Sequence, residues 1–217
     1  IQTMPKTVVY LGPSLPLEEA KTYLPDAVFR PPVKRGDVAA AAAEGMEVMV
    51  IIDGVFFQNE AVAHKEILAA LKAGIHVFGS SSMGALRACE LEPFGMTGVG
   101  KIFEWYRDGK IIADDEVGLL YDPESGAALS DPMVNMRATF AKAKECGKIT
   151  DAEEKTLLKT CKTIYYPERT FRRVIKEADI SAEKKTSLPL WIKENAVDQK
   201  REDARECLSR VRDTYGT

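Results

Sequence analysis

Short apolar runs alternate with helical stretches along the amino-terminal part of the chain. Thr7-Val8-Val9-Tyr10-Leu11 ends at Gly12-Pro13-Ser14, Leu17 to Tyr23 has helical spacing, and Ala27 to Phe29 is a short strand candidate. An alanine-rich helix over Arg35 to Glu44 stops at Gly45, and Val48-Met49-Val50-Ile51-Ile52 stops at Asp53-Gly54. A helix from about Asn59 to Ala73 leads into Ile75-His76-Val77-Phe78 and Gly79. Apolar runs that are continuous rather than alternating belong to strands buried on both faces, so the pattern predicts a parallel sheet with helices on each side. With right-handed crossovers this is a Rossmann- or flavodoxin-like α/β sheet of expected order 2-1-3-4. Its winding reverses between strands one and three, where ligand sites form at the carboxyl ends of the strands. Gly12-Pro13-Ser14, Asp53-Gly54 and Ser80-Ser81-Ser82 would meet there.

The pattern changes past residue 95. Lys101 to Arg107 reads as a short amphipathic helix, Asp114-Asp115-Glu116 is an acidic knot, and Val117 to Tyr121 faces Ala127 to Leu129 across Asp122-Pro123-Glu124-Ser125-Gly126 as a hairpin. From Pro132 onward everything reads helical. Ser130-Asp131 is a good N-cap with proline early in the first turn, Thr150-x-x-Glu153 is a capping box, and Ser181-x-x-Lys184 opens a further helix. The expected division is an α/β core over 4–130 and a helical C-terminal region over 131–217 with a wet outer face.

Composition narrows the function classes. A chain of 217 residues suits one or two compact domains. Its 30 Lys and Arg against 33 Asp and Glu leave a net charge of −3, with no basic surplus for a phosphate backbone, so nucleic acid is not expected as a partner. The longest strongly apolar run, Val48 to Ile52, is far too short for a bilayer, and a cytoplasmic protein with no membrane partner is expected. Cys89, Cys146, Cys161 and Cys207 form no Cys-x-x-Cys pair, which reads as reduced, mostly buried thiols rather than a metal site. The first loop has no Gly-x-Gly-x-x-Gly and no strand is followed by Gly-Lys-Ser/Thr, so no dinucleotide or P-loop ligand is expected, and no cofactor is assigned.

The segment Phe78 to Ala88 carries the most chemistry. Ser82-Met83-Gly84 keeps the Ser-x-Gly half of a nucleophile elbow, although Ser80 stands where glycine is usual. Backbone N–H groups near Met83 at a helix start favour a developing oxyanion. Equally, Ser80 or Ser81 can simply cap the helix while Gly84 permits close packing. A serine nucleophile needs a base, and the chain has two histidines, His64 and His76. His76 lies in a buried strand and reads as a core residue. His64 shares a stripe with Ala61, Leu68 and Leu71, ordinarily a structural position, but its helix starts at the edge where Ser82 emerges. Asp53 would orient His64, or cap a turn with Gly54. A Ser82-His64-Asp53 set is therefore a candidate. Arg35, Lys65 and Arg87 are candidate anion ligands, with an ion pair to Glu90 or Asp115 as the alternative for any one of them. Asp114-Asp115-Glu116 lacks EF-hand spacing and reads as a cap or salt-bridge knot.

Taken together, the motifs resemble the TfuA-like core family. The matching stretches are Leu11-Gly12-Pro13-Ser14-Leu15, Pro31 to Asp37, Asp53-Gly54-Val55-Phe56, Val62 to Ile67, Gly79 to Ala88, Gly95 to Ile102, Asp114 to Val117 and Val134 to Thr139, roughly residues 7 to 140. The resemblance implies a partner of a YcaO enzyme, which converts a backbone amide to a thioamide. The target would be thioglycine in methyl-coenzyme M reductase or a thioamide in a ribosomal peptide. It further suggests sulfur supply from a ubiquitin-like, ThiS-like carrier ending in a Gly-Gly thiocarboxylate. Ser82 would attack the thiocarboxylate carbon, His64 would take its proton and Asp53 would orient His64. Gly12, Ser14, Arg35, Gly54, Lys65, Gly79, Ser80, Ser81, Met83 and Arg87 would hold the tail. The rival expectation is a non-catalytic escort that joins YcaO to its substrate or to the carrier.

Overall fold

A computed structural model describes residues 3–57 and 59–216. Its sheet has five parallel strands, β1 (Thr7–Tyr10), β2 (Val28–Arg30), β3 (Val48–Ile51), β4 (His76–Ser80) and β5 (Thr97–Val99), in the order β2-β1-β3-β4-β5. The expected order 2-1-3-4 is present, extended by one strand. Tyr10 pairs with Ile51, Ile51 with Gly79 and Gly79 with Gly98, so the strands end level and their following loops leave one edge together.

Two compact units divide the chain: Ile1–Ile112 with Lys200–Thr217, and Ala113–Gln199. The first holds the sheet with α1 (Leu17–Tyr23), α2 (Asp37–Ala43), α3 (His64–Lys72), α4 (Met83–Leu91) and α5 (Lys101–Arg107). Helix α3 begins five residues later than the spacing suggests, because the chain first turns at Asn59-Glu60. The second unit holds α6 (Met133–Glu145), α7 (Asp151–Thr163), α8 (Phe171–Glu177) and α9 (Ala182–Asn195). The last helix, α10 (Gln199–Tyr215), lies almost wholly in the first unit. The observed division therefore differs from the expected one at 130/131. Under its charged surface α10 carries Ala204, Cys207, Leu208 and Val211, a stripe at helical spacing that packs with Val9, Val50, Ile52, Phe78 and Val99 of the sheet and with Ala20 and Leu24 of α1. Full burial of a leucine or valine stabilises by about 1.5–3 kcal/mol, enough to make this helix part of the sheet's cover. Arg205 adds a paired contact to both carboxylate oxygens of Glu19, at 2.7 and 2.9 Å. Val8, Met49, Ile51 and Val77, which alternate with the residues of that face, are equally buried, and α3 packs on β4 and α4 on β3 and β4. This double burial is why the strands read as unbroken apolar runs.

In the second unit Met133, Met136, Phe140 and Ala143 of α6 pack with Leu157 and Cys161 of α7, Val174 and Ile175 of α8, and Leu188 and Ile192 of α9. The acidic knot is a salt-bridge network. Buried Glu116 takes two bonds from Arg137, at 2.8 and 2.9 Å, and one from Lys162 at 2.7 Å. Asp115 pairs with Lys162 and the buried Arg169. Burial alone would raise the Asp115 carboxyl, but the bonds from Lys162 and Arg169 hold it below its ordinary value. The hairpin is reduced to a Tyr121–Ala128 bridge closed by the Asp122 turn. Pro132 itself occupies the N-cap of α6, while Asp131 accepts instead from the amide of Phe171 at 3.0 Å.

The capping box of α7 is formed: the Glu153 amide donates to Thr150 Oγ1 at 3.1 Å, and the Thr150 amide to Glu153 Oε1 at 2.8 Å. Thr150→Ala is expected to cost about 1 kcal/mol. The check is a lower urea midpoint with an unchanged slope. All four cysteines are free; Cys161 and Cys207 are buried, Cys89 is half-buried and Cys146 is exposed. Burial pushes the thiols of Cys161 and Cys207 up to about 12, which leaves them inert as nucleophiles.

Candidate functional site

At the carboxyl edge of the sheet, buried Asp53 organises the loop after β1. Its Oδ2 accepts from the amides of Gly12 (2.7 Å) and Ser14 (3.2 Å), and its Oδ1 from the Ser14 hydroxyl (2.7 Å). The loops after β2 and β3 are joined by a parallel bridge between Val33 and Gly54. A Cβ on Gly12 would stand 2.6 Å from the Pro32 ring, and one on Gly54 2.8 Å from the Met83 side chain. The need for glycine at both positions is thus met by the protein's own packing.

The turn from β4 to α4 is the tightest feature of the edge. The Ser82 amide donates to the Ser80 carbonyl at 2.7 Å around Ser81, whose φ of 64° makes it the one non-glycine residue described with a left-handed backbone. A three-residue turn of this hand is rare and strained, and such strain persists only where surrounding contacts enforce it. Two glycines enforce it here. A Cβ on Gly84 would lie 1.7 Å from the Ile51 carbonyl oxygen, and one on Gly79 would lie 2.2 Å from the Gly84 carbonyl oxygen, so α4 starts pressed against β3 and β4.

Three successive serines in this turn face the start of α10. Ser80 Oγ donates to the carbonyls of Val99 (2.7 Å) and Asp203 (3.2 Å), and Ser81 Oγ to the carbonyl of Lys200 (2.7 Å). The hydroxyl of Ser82 accepts from Lys200 Nζ at 3.1 Å. Both partners are nearly enclosed, Ser82 at 5% exposure and Lys200 at 2%. Asp203, one turn further along, accepts from the Ile102 amide at 2.8 Å and so fixes α10 against the start of α5. In α4 the Gly84 amide donates to Ile52 and the Ala85 amide to Ser82, whereas the Met83 amide has no hydrogen-bond partner among the described residues.

The three members of the expected Ser82-His64-Asp53 set are not brought together. Asp53 spends its carboxylate on Gly12 and Ser14, and exposed His64 bonds through Nε2 to Glu90. Glu90 lies eight residues beyond Ser82, about 12 Å along the helix axis, so this bond holds the imidazole toward the far end of α4. Arg87 donates to the Val62 carbonyl and pairs with Glu90, the alternative weighed for it. Arg35 and Lys65 are exposed. His76 is a satisfied strand residue, bonded to the hydroxyls of Tyr215 (2.6 Å) and Thr97 (3.0 Å), and burial lowers its pKa.

Sequence reasoning missed Lys200, 118 residues from Ser82. One signal points to it. Lys200 and Asp203 stand four residues before Ala204 and Cys207, so two charged side chains continue the buried stripe of α10. A charge on a buried stripe is a candidate for function.

Among the described residues no group of His, Cys, Asp and Glu is arranged to hold a metal ion, and no helix is long and apolar enough to cross a membrane. A family model described as TfuA-like protein matches residues 53–170, more than half of the chain. The matched stretch includes Asp53 and the whole serine turn and stops before Lys200. Comparison with curated proteins returns no match.

Proposed function

The chain belongs to the TfuA-like family, and on that premise we propose that it hydrolyses the thiocarboxylate of a ubiquitin-like sulfur carrier, releasing sulfide for a YcaO enzyme. A role beside YcaO in thioamidation comes with the family; the hydrolysis is read from the site. The observation that carries it is the buried contact between Lys200 Nζ and Ser82 Oγ at the start of α4. A serine hydroxyl is a weak nucleophile until a neighbouring base removes its proton, and a lysine amine can be that base once it is neutral.

The residues then have defined tasks. Lys200 takes the proton of Ser82 as Oγ attacks the thiocarboxylate carbon. The Met83 amide donates to the oxyanion, aided by the dipole of α4. As the C–S bond breaks, Lys200 returns the proton to sulfur, and hydrosulfide leaves an acyl ester on Ser82. Water, deprotonated by Lys200, cleaves the ester and restores the hydroxyl, so each turnover consumes one thiocarboxylate and one water and yields one carboxylate and one sulfide. Asp53 acts by shaping the loop after β1. Exposed Arg35 and Lys65 remain the candidates to receive the negative tail.

Intact-mass measurement of acid-quenched mixtures with a thiocarboxylated carrier tests the covalent step. The expected adduct has the mass of the carrier less hydrogen sulfide, maps to Ser82, and is absent from Ser82→Ala. An adduct mapped elsewhere would reject the assignment. Because His64 is held by Glu90, His64→Ala should release sulfide within about threefold of wild type, against the 10²–10⁴-fold loss that removal of a general base brings. A loss of that larger size would restore the histidine mechanism.

A further inference from the structure

Within the second unit, α8 and α9 enclose a groove of about 480 Å³. Its apolar surface comes from Phe171 and Ile175 on α8 and from Pro189 and Ile192 on α9. Its other four lining residues are all cationic: two from α8, Arg172 and Lys176, and two from α9, Lys185 and Lys193. Among the described residues none of the four forms an ion pair; the Lys185 ammonium donates to the carbonyl of Lys176 at 2.7 Å. The carboxylates of Glu168 and Glu177 are taken up by Arg173, outside the groove. Pro189 stands inside α9 and has no N–H to offer the Lys185 carbonyl.

We infer that this groove binds an acidic amphipathic helix of a partner protein, with apolar side chains at helical spacing entering the groove and carboxylates meeting the four cations. Charge complementarity selects this occupant. Lys185 and Lys193 lie eight residues apart on α9, about 12 Å, which matches two apolar anchors one turn apart with a carboxylate on either side. Nucleic acid would need a basic surplus that the net charge of −3 does not supply. A bilayer would need apolar side chains that protrude, whereas Ile175 and Ile192 are 2% and 6% exposed. The groove uses neither Ser82 nor Lys200, so this inference and the hydrolase reading fail separately.

The test is fluorescence anisotropy of a fluorescein-labelled 16-residue helical peptide with leucines at i, i+3 and i+4 flanked by glutamates, titrated with the full chain. Lys176→Glu with Lys193→Glu changes two exposed side chains, and circular dichroism checks that its fold is kept. Saturable binding is expected, weakened at least tenfold in the double variant, at least tenfold when the leucines are replaced by serine, and reduced by added salt. The inference is overturned if the wild-type chain does not bind saturably, if the double variant binds equally well, or if the serine peptide binds as tightly as the leucine peptide. It is likewise overturned if the double substitution abolishes self-association, or binding to anionic vesicles, while peptide binding is unchanged.

Discussion

Lys200→Met is expected to slow sulfide release from a thiocarboxylated carrier by about 10³-fold, within the 10²–10⁴ range that a positioned general base supplies. Methionine keeps much of the lysine stem and removes the amine, so the stripe of α10 that packs on the sheet should stay in place. Loss of one partner of a buried hydrogen bond costs about 1–3 kcal/mol, and the variant should unfold within about 3 kcal/mol of wild type. An unchanged rate in a folded Lys200→Met chain would remove Lys200 from the mechanism.

Gly84→Ala should have the largest effect on stability. The added methyl would sit 1.7 Å from the Ile51 carbonyl oxygen, and that atom belongs to the central strand rather than to a flexible side chain. Relief requires α4 to lift from β3, which would also pull Ser82 away from Lys200. A loss of about 3–5 kcal/mol is expected, at the severe end of single substitutions, read as a lower urea midpoint and loss of near-ultraviolet dichroism. Gly126→Ala is the control. Gly126 needs a positive φ, 74°, whereas Gly84 is helical, and nothing lies within 4 Å of the Gly126 Cβ position, so about 1 kcal/mol is expected there. Equal costs at the two positions would show that close approach of α4 to the sheet is not what Gly84 provides.

The central strands were legible because burial on both faces leaves them continuously apolar, and the loops of the carboxyl edge followed from the order of those strands. Strand β5 was not: Thr97-Gly98-Val99 is too short to show a period, and it is held by pairing with β4. The serine turn was visible as small residues between a strand and a helix. Its contact with Lys200 was not, since a stripe reveals that a helix face is buried but not what it is buried against. His64 illustrates the same limit from the other side. Its position on an apolar stripe near the right edge made contact with Ser82 conceivable, and the pairing with Glu90 depends on how α3 and α4 lie together, which spacing along the chain does not encode. The acidic knot was legible as a cap or a salt-bridge knot; Asp115 and Glu116 form ion pairs, and the identities of their partners Arg137, Lys162 and Arg169 emerge only in three dimensions.

Release of sulfide from a carrier by way of Ser82 is measured as sulfide production from a ubiquitin-like protein with a C-terminal Gly-Gly thiocarboxylate, in the absence of YcaO, for wild type beside Ser82→Ala. Several turnovers are expected of wild type, and of Ser82→Ala a rate at the spontaneous hydrolysis of the carrier. Wild-type release no faster than that spontaneous rate, or equal release by both proteins, would contradict release by way of Ser82 and leave the escort role in its place.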